Sequence, residues 1–167
     1  MSVPVPDRSP SKAQFLDTAY EIDREVLSLY RKKYYEDMRD TVLRQMYEYS
    51  SAMLSCLIRA DDIYSVDMKS AAANRVISLP MVQDRFRLFT EAKGHLAALI
   101  NKATELYIVK PVKHRYRGKK KHMAILLATE YKLLKGMCDS EKERLKKFTK
   151  LPSRRASLFI HGCQAIN

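Results

Sequence analysis

The sequence predicts an all-α fold: an antiparallel four-helix bundle with a basic loop between helices three and four. Three observations lead there. Four long segments carry apolar residues at alternating steps of three and four, the period of a helix with one buried face. The breaks between them are short, and nothing alternates with the period of a strand. A 13-residue stretch, Lys110 to His122, holds seven Lys or Arg, two His and no acid.

Residues 1–10 contain Pro4, Pro6 and Pro10 and read as a disordered lead. Ser11 with Gln14 forms an S-x-x-Q capping box, in which each side chain satisfies a free backbone N–H of the first turn. Phe15, Ala19, Ile22, Val26 and Leu29 then place one stripe on helix one, which runs to about Lys33. Lys32 to Asp37 interrupts the period, and Asp37 is the expected N-cap of helix two. In helix two, Leu43, Met46, Ser50, Met53, Leu57 and Ala60 step by three and four to about Tyr64.

A short helix is expected around Asp67 to Val76, and Ser78-Leu79-Pro80 marks a new start because proline fits a first turn. Phe86, Phe89, Ala92, Leu96, Leu99, Ala103 and Leu106 define helix three, ending near Tyr107. Gly94 inside it suggests close approach of another helix, and Arg85, Arg87 and Lys93 are placed on the basic surface. Pro111 and Gly118 keep the basic stretch out of regular helix. Helix four, about residues 120–149, follows Leu127, Tyr131, Leu134, Cys138, Glu141, Leu145 and Phe148. Pro152 stops it, and residues 151–167 form a C-terminal extension.

Charge is distributed unevenly. Residues 1–100 balance 14 Lys/Arg against 14 Asp/Glu, so the net +12 resides in residues 101–167. Like charges this dense repel one another and make sense when a polyanion lies across them. Phosphate neutralisation with counterion release is the sequence-independent source of nucleic-acid affinity. The expected nucleic-acid-binding residues are Lys110, Lys113, His114, Arg115, Tyr116, Arg117, Lys119, Lys120 and Lys121, with Arg144 and Lys147 at the basic end of helix four. Tyr116, between two arginines, is placed to stack on an unpaired base. A solvated basic loop is the plain alternative.

Catalytic chemistry is poorly supported. The four glycines form no phosphate loop, no His–Glu pair has metal-ligand spacing, and no Ser, His and Asp propose a triad, so neither metal nor cofactor is expected. Arg117 and His122 fit the R-x4-H pattern of HEPN ribonucleases, themselves helical bundles in which the pair acts at an RNA phosphate. Cys56, Cys138 and Cys163 are odd in number and lack CxxC spacing, so reduced thiols are expected. No apolar run approaches the roughly 20 residues of a bilayer span. Without a signal-peptide pattern at the start, the expected location is cytoplasmic.

Over about residues 12–149 the chain resembles the accessory variability determinant (Avd) proteins of diversity-generating retroelements. These are related to bundles encoded in ribosomal-RNA intervening sequences. The stretches that carry the resemblance are Arg39 to Ile63, Arg75 to Pro80, and Gln83 to Phe89 leading into Leu106. The resemblance implies a non-catalytic partner of a reverse transcriptase that assembles as a homo-oligomeric ring, typically of five bundles. It also implies binding of structured RNA, or of RNA and DNA together. The long basic loop and the extension after Pro152 depart from the family. Ala97, Ala98 and Ala124 are the small residues that such a ring could use. The rival reading is a protein–protein adaptor whose basic loop meets an acidic face.

Overall fold

Burial of the four apolar stripes dictates the architecture. A computed structural model describes residues 10–63, 78–110 and 117–149 of the chain. Four helices account for most of them: α1 (Pro10–Tyr30), α2 (Arg44–Asp62), α3 (Leu79–Val109) and α4 (Arg117–Thr149). Among the described residues no strand occurs, and no helix is long and apolar enough to cross a membrane. The lead before Pro10, the short helix expected at 67–76 and the extension from 151 lie outside the described residues.

Each helix packs on two others: α2 on α3, α3 on α4, and α1 on both α2 and α4. The contacts run in opposite order along paired helices. Arg85 reaches the Ala60 carbonyl, whereas His95 lies by Tyr49. Likewise Arg85 meets Glu141, Lys93 sits over Tyr131, and Tyr107 lies under Lys120. Phe15 of α1 meets Phe89 of α3 edge to face, with ring centroids 5.7 Å apart. That geometry favours the ring edge of one on the face of the other.

The stripes of the first two helices are buried as expected: Phe15, Ala19, Ile22, Val26 and Leu29 in α1, and Met46, Met53, Leu57 and Ala60 with Ser50 in α2, with Leu43 just ahead of it. Ser50 is tolerated there because its hydroxyl donates to Asp23 Oδ1 of α1 at 2.7 Å.

Several expectations need correction. The link between α1 and α2 is a 3-10 turn, Lys33–Met38, followed by a π turn, Arg39–Leu43. Asp37 therefore caps nothing; it pairs instead with Lys110 from the end of α3. The chain turns at Tyr35, whose φ of −110° and ψ of 18° are not helical. Arg39 secures the link by donating from Nε to the Tyr30 carbonyl at 3.2 Å. At the other end of α1, Pro10 occupies the first turn, ahead of the position a Ser11 cap would require.

Gly94 is exposed, and a Cβ there would meet nothing within 4 Å, so no helix approaches it. Phe86 is only half-buried, and its neighbour Arg85 fills the core position at 1% exposure rather than the basic surface. In α4 the buried stripe is Met123, Leu127, Glu130, Leu134 and Glu141, whereas Tyr131 is exposed. Gly118 does not delay α4, which begins at Arg117. Gly is costly in a helix interior, but the first turn has free N–H groups in any case.

Candidate nucleic-acid interface

The expected basic site divides along α4. Lys120 and Lys121 are exposed in its first turns, and Lys147 is exposed in its last. At 1.5 Å per residue, Lys121 and Lys147 are separated by about 39 Å along the axis. They are two ends of one helix, not one loop-centred patch. Arg117 and Lys119 fall on the backbone of the first turn. Lys113, His114, Arg115 and Tyr116 lie outside the described residues.

Two expected contact residues are already engaged inside the fold. The Lys110 ammonium pairs with the Asp37 carboxylate and sits 5.1 Å from the Tyr34 ring centroid. That ammonium holds the Asp37 carboxyl below the usual carboxylate range, chiefly through their hydrogen bond. Arg144 Nη1 donates to both Glu141 oxygens, at 3.1 and 3.2 Å. Its guanidinium thereby shields a buried carboxylate rather than projecting as a bare cation.

Sequence reasoning missed what connects the two ends. Lys121, Lys132, Lys135, Lys142 and Lys146 recur at helical spacing on the outward side of α4, and all five are exposed. The first four have no ion-pair partner among the described residues. Lys146 pairs with Glu143 at 2.6 Å. The stripe extends about 38 Å, comparable to eleven base-pair rises of a duplex. The signal was available in the sequence from Lys132 on, because the lysines there recur at steps of three, seven and four residues opposite the apolar stripe; Lys121 stands on the same face eleven residues earlier.

Of the R-x4-H residues, Arg117 falls on the backbone of the first turn of α4 and His122 about one and a half turns further on. His122 lies on α4 with Nε2 3.2 Å from Glu21 Oε1 of α1, so its ring is oriented by a carboxylate. No group of three His, Cys, Asp or Glu side chains suited to a metal forms among the described residues. Cys56 and Cys138 are unbridged, and burial raises both thiols above their ordinary range. Cys163 lies outside the described residues.

Two further features were not anticipated. Glu130 is 0% exposed, and neither carboxylate oxygen has a hydrogen-bond partner among the described residues. Burial alone pushes its pKa up to about 8, so near neutral pH it is mostly a protonated acid. Second, an apolar groove of about 340 Å³ opens between the C-terminal third of α3 and the N-terminal third of α4. Tyr107 belongs to its wall; burial, with Tyr35 and Glu25 nearby, pushes the phenol up to about 12. No protein-family model, curated protein or solved structure matches the chain.

Proposed function

We propose that this chain is a non-catalytic nucleic-acid-binding accessory protein built as an antiparallel four-helix bundle. Its ligand is structured RNA, or RNA paired with DNA, and its working partner is a reverse transcriptase of a diversity-generating retroelement. The opposed order of the α2–α3 and α3–α4 contacts supports the antiparallel arrangement. The enzyme partner rests on the resemblance to Avd proteins alone.

The observation that carries nucleic-acid binding is the lysine stripe of α4. Like charges on one helix face oppose one another, and an anionic backbone along the stripe removes that opposition. Phosphate contacts of this kind position a duplex without reading its sequence. In the sequence, Lys113 and Arg115 stand just before α4 and add to the same charge.

The test is binding of a structured RNA and a duplex DNA of equal length across a salt series. A log–log slope steeper than about −3, similar for unrelated sequences, supports the proposal. No binding at low salt contradicts it. RNA shortening in the same samples that disappears in His122→Ala would instead make the chain a ribonuclease.

A further inference from the structure

The groove between α3 and α4 is not accounted for by nucleic-acid binding. Its floor and walls are apolar or small: Ile100, Ala103, Met123, Ala124, Leu127 and Ala128. Such a surface offers nothing to a phosphate backbone. At its α3 edge Ile108 lines the groove yet is 72% exposed. An apolar groove left open in this way, with an exposed aliphatic side chain at its mouth, marks an interaction surface. Ala97, one turn before Ile100 and exposed, continues the α3 side of the face.

Shape and charge together specify the occupant. Two neighbouring helices with alanine on their outward faces allow a third helix to approach closely and seat its apolar ridge between them. The cations are at one end. Lys120 lines the groove with its ammonium 5.0 Å from the Tyr107 ring centroid, and exposed Lys121 follows it. The first turn of α4 contains no acid, so the positive end of the helix dipole is not offset there. From residue 117 to 138 the only acid on α4 is Glu130, which is buried. On α3 Glu105 is neutralised by Lys102, and on α1 Glu25 near Tyr107 is set against the α4 cations, so the field at the α4 end of the groove is positive. A second copy docking through its basic half, residues 101–167, would bring like charge to it, whereas an acidic partner is attracted.

We infer that the α3–α4 groove is a docking site for an amphipathic helix of a protein partner, with apolar residues at i, i+4 and i+7 and Asp or Glu on its flanks. The groove covers nine residues of each helix, about 12 Å of axis, which accommodates two to three turns of the partner. This is helix-in-groove recognition, with aliphatic anchors supplying affinity and the lysines setting direction. The inference does not depend on nucleic-acid binding.

The test uses the full chain and a labelled 16-residue helical peptide with leucines at i, i+4 and i+7 and glutamates on both flanks. A scrambled peptide of identical composition controls for charge alone. Fluorescence anisotropy is expected to show micromolar binding of the designed peptide and at least tenfold weaker binding of the scrambled one. Ala128→Arg, an exposed position that fills the groove, is expected to weaken the designed peptide at least tenfold while leaving the circular dichroism spectrum unchanged. Lys120→Glu is expected to weaken it several-fold. Equal binding of both peptides, or indifference to Ala128→Arg, overturns the inference. So does a wild-type oligomer that Ala128→Arg converts to monomer, which assigns the face to a second copy. Loss of structured-RNA binding in Ala128→Arg, with peptide binding intact, also overturns it.

Discussion

Arg85 of α3 and Glu141 of α4 meet in the interior of the bundle, both about 1% exposed, with Arg85 Nη1 donating to Glu141 Oε1. The rest of each group is also occupied. Arg85 Nε donates to the Ala60 carbonyl at 3.0 Å in the last turn of α2, and its guanidinium carbon lies 5.0 Å from the Phe89 ring centroid. Arg144 holds Glu141 from the other side. One buried guanidinium thus ties the end of α2, the start of α3 and the last third of α4.

Breaking this pair from one side is expected to be severe. Arg85→Ala leaves a buried carboxylate and an orphaned carbonyl, costing about 3–5 kcal/mol in urea unfolding. Replacing both ends together, Arg85→Met with Glu141→Leu, is expected to cost far less or to stabilise, because two desolvated charges are removed. A double variant no more stable than either single one would mean that the pair itself is not the relevant interaction.

Glu130 sets a pH dependence. Below pH 4.5, its ordinary value, folded and unfolded chains both carry the proton and the group is neutral in the balance. Above that the unfolded chain releases it while the folded protein retains it to about pH 8, so stability falls as pH rises. The accumulated loss is on the order of 5 kcal/mol by pH 8. Glu130→Gln, which cannot ionise, is expected to match the parent near pH 4 and to melt at least about 5 °C higher at pH 8. Parallel melting curves for the two proteins from pH 4 to 8 would show that Glu130 is not held protonated.

Gly94 and Gly136 are exposed helix-interior glycines, and a Cβ added at either would meet nothing within 4 Å. Gly94→Ala and Gly136→Ala are each expected to stabilise by about 0.5–1 kcal/mol, additively, because they restrict the unfolded chain and touch nothing in the folded one. The shift in urea midpoint at constant slope measures it.

These residues also show what the sequence discloses. The stripes of α1 and α2 were legible because the core positions there are apolar or, at Thr18 and Ser50, small hydroxyls with hydrogen-bond partners, so burial imposes its period directly on the residue types. Helices α3 and α4 were read one residue out of phase at two places, Phe86 for Arg85 and Tyr131 for Glu130. In each case a charged residue holds the core position beside an aromatic one. Hydropathy then favours the wrong neighbour, a rotation of about 100° around the helix. Only the partner of Arg85, 56 positions away at Glu141, makes its burial affordable, and no local pattern contains that pairing.

The basic surface was legible as charge but not as geometry. The cluster at 110–122 drew attention because it is dense, yet Lys110 is engaged by Asp37 from a distant turn. Lys132 and Lys135 lie farther along the chain, outside that cluster. They became part of one surface only when α4 proved continuous from Arg117 to Thr149.

The α4 lysines make the central claim directly measurable. Lys132→Gln, Lys135→Gln and Lys142→Gln combined remove three exposed cations without touching the core. Binding of one duplex should be titrated from low to physiological salt with the parent and this variant. Three lost phosphate contacts should flatten the log–log salt slope by about 2–3 and weaken binding at low salt, equally for unrelated sequences. An unchanged slope and affinity would contradict the account, because the nucleic acid would then not lie along α4.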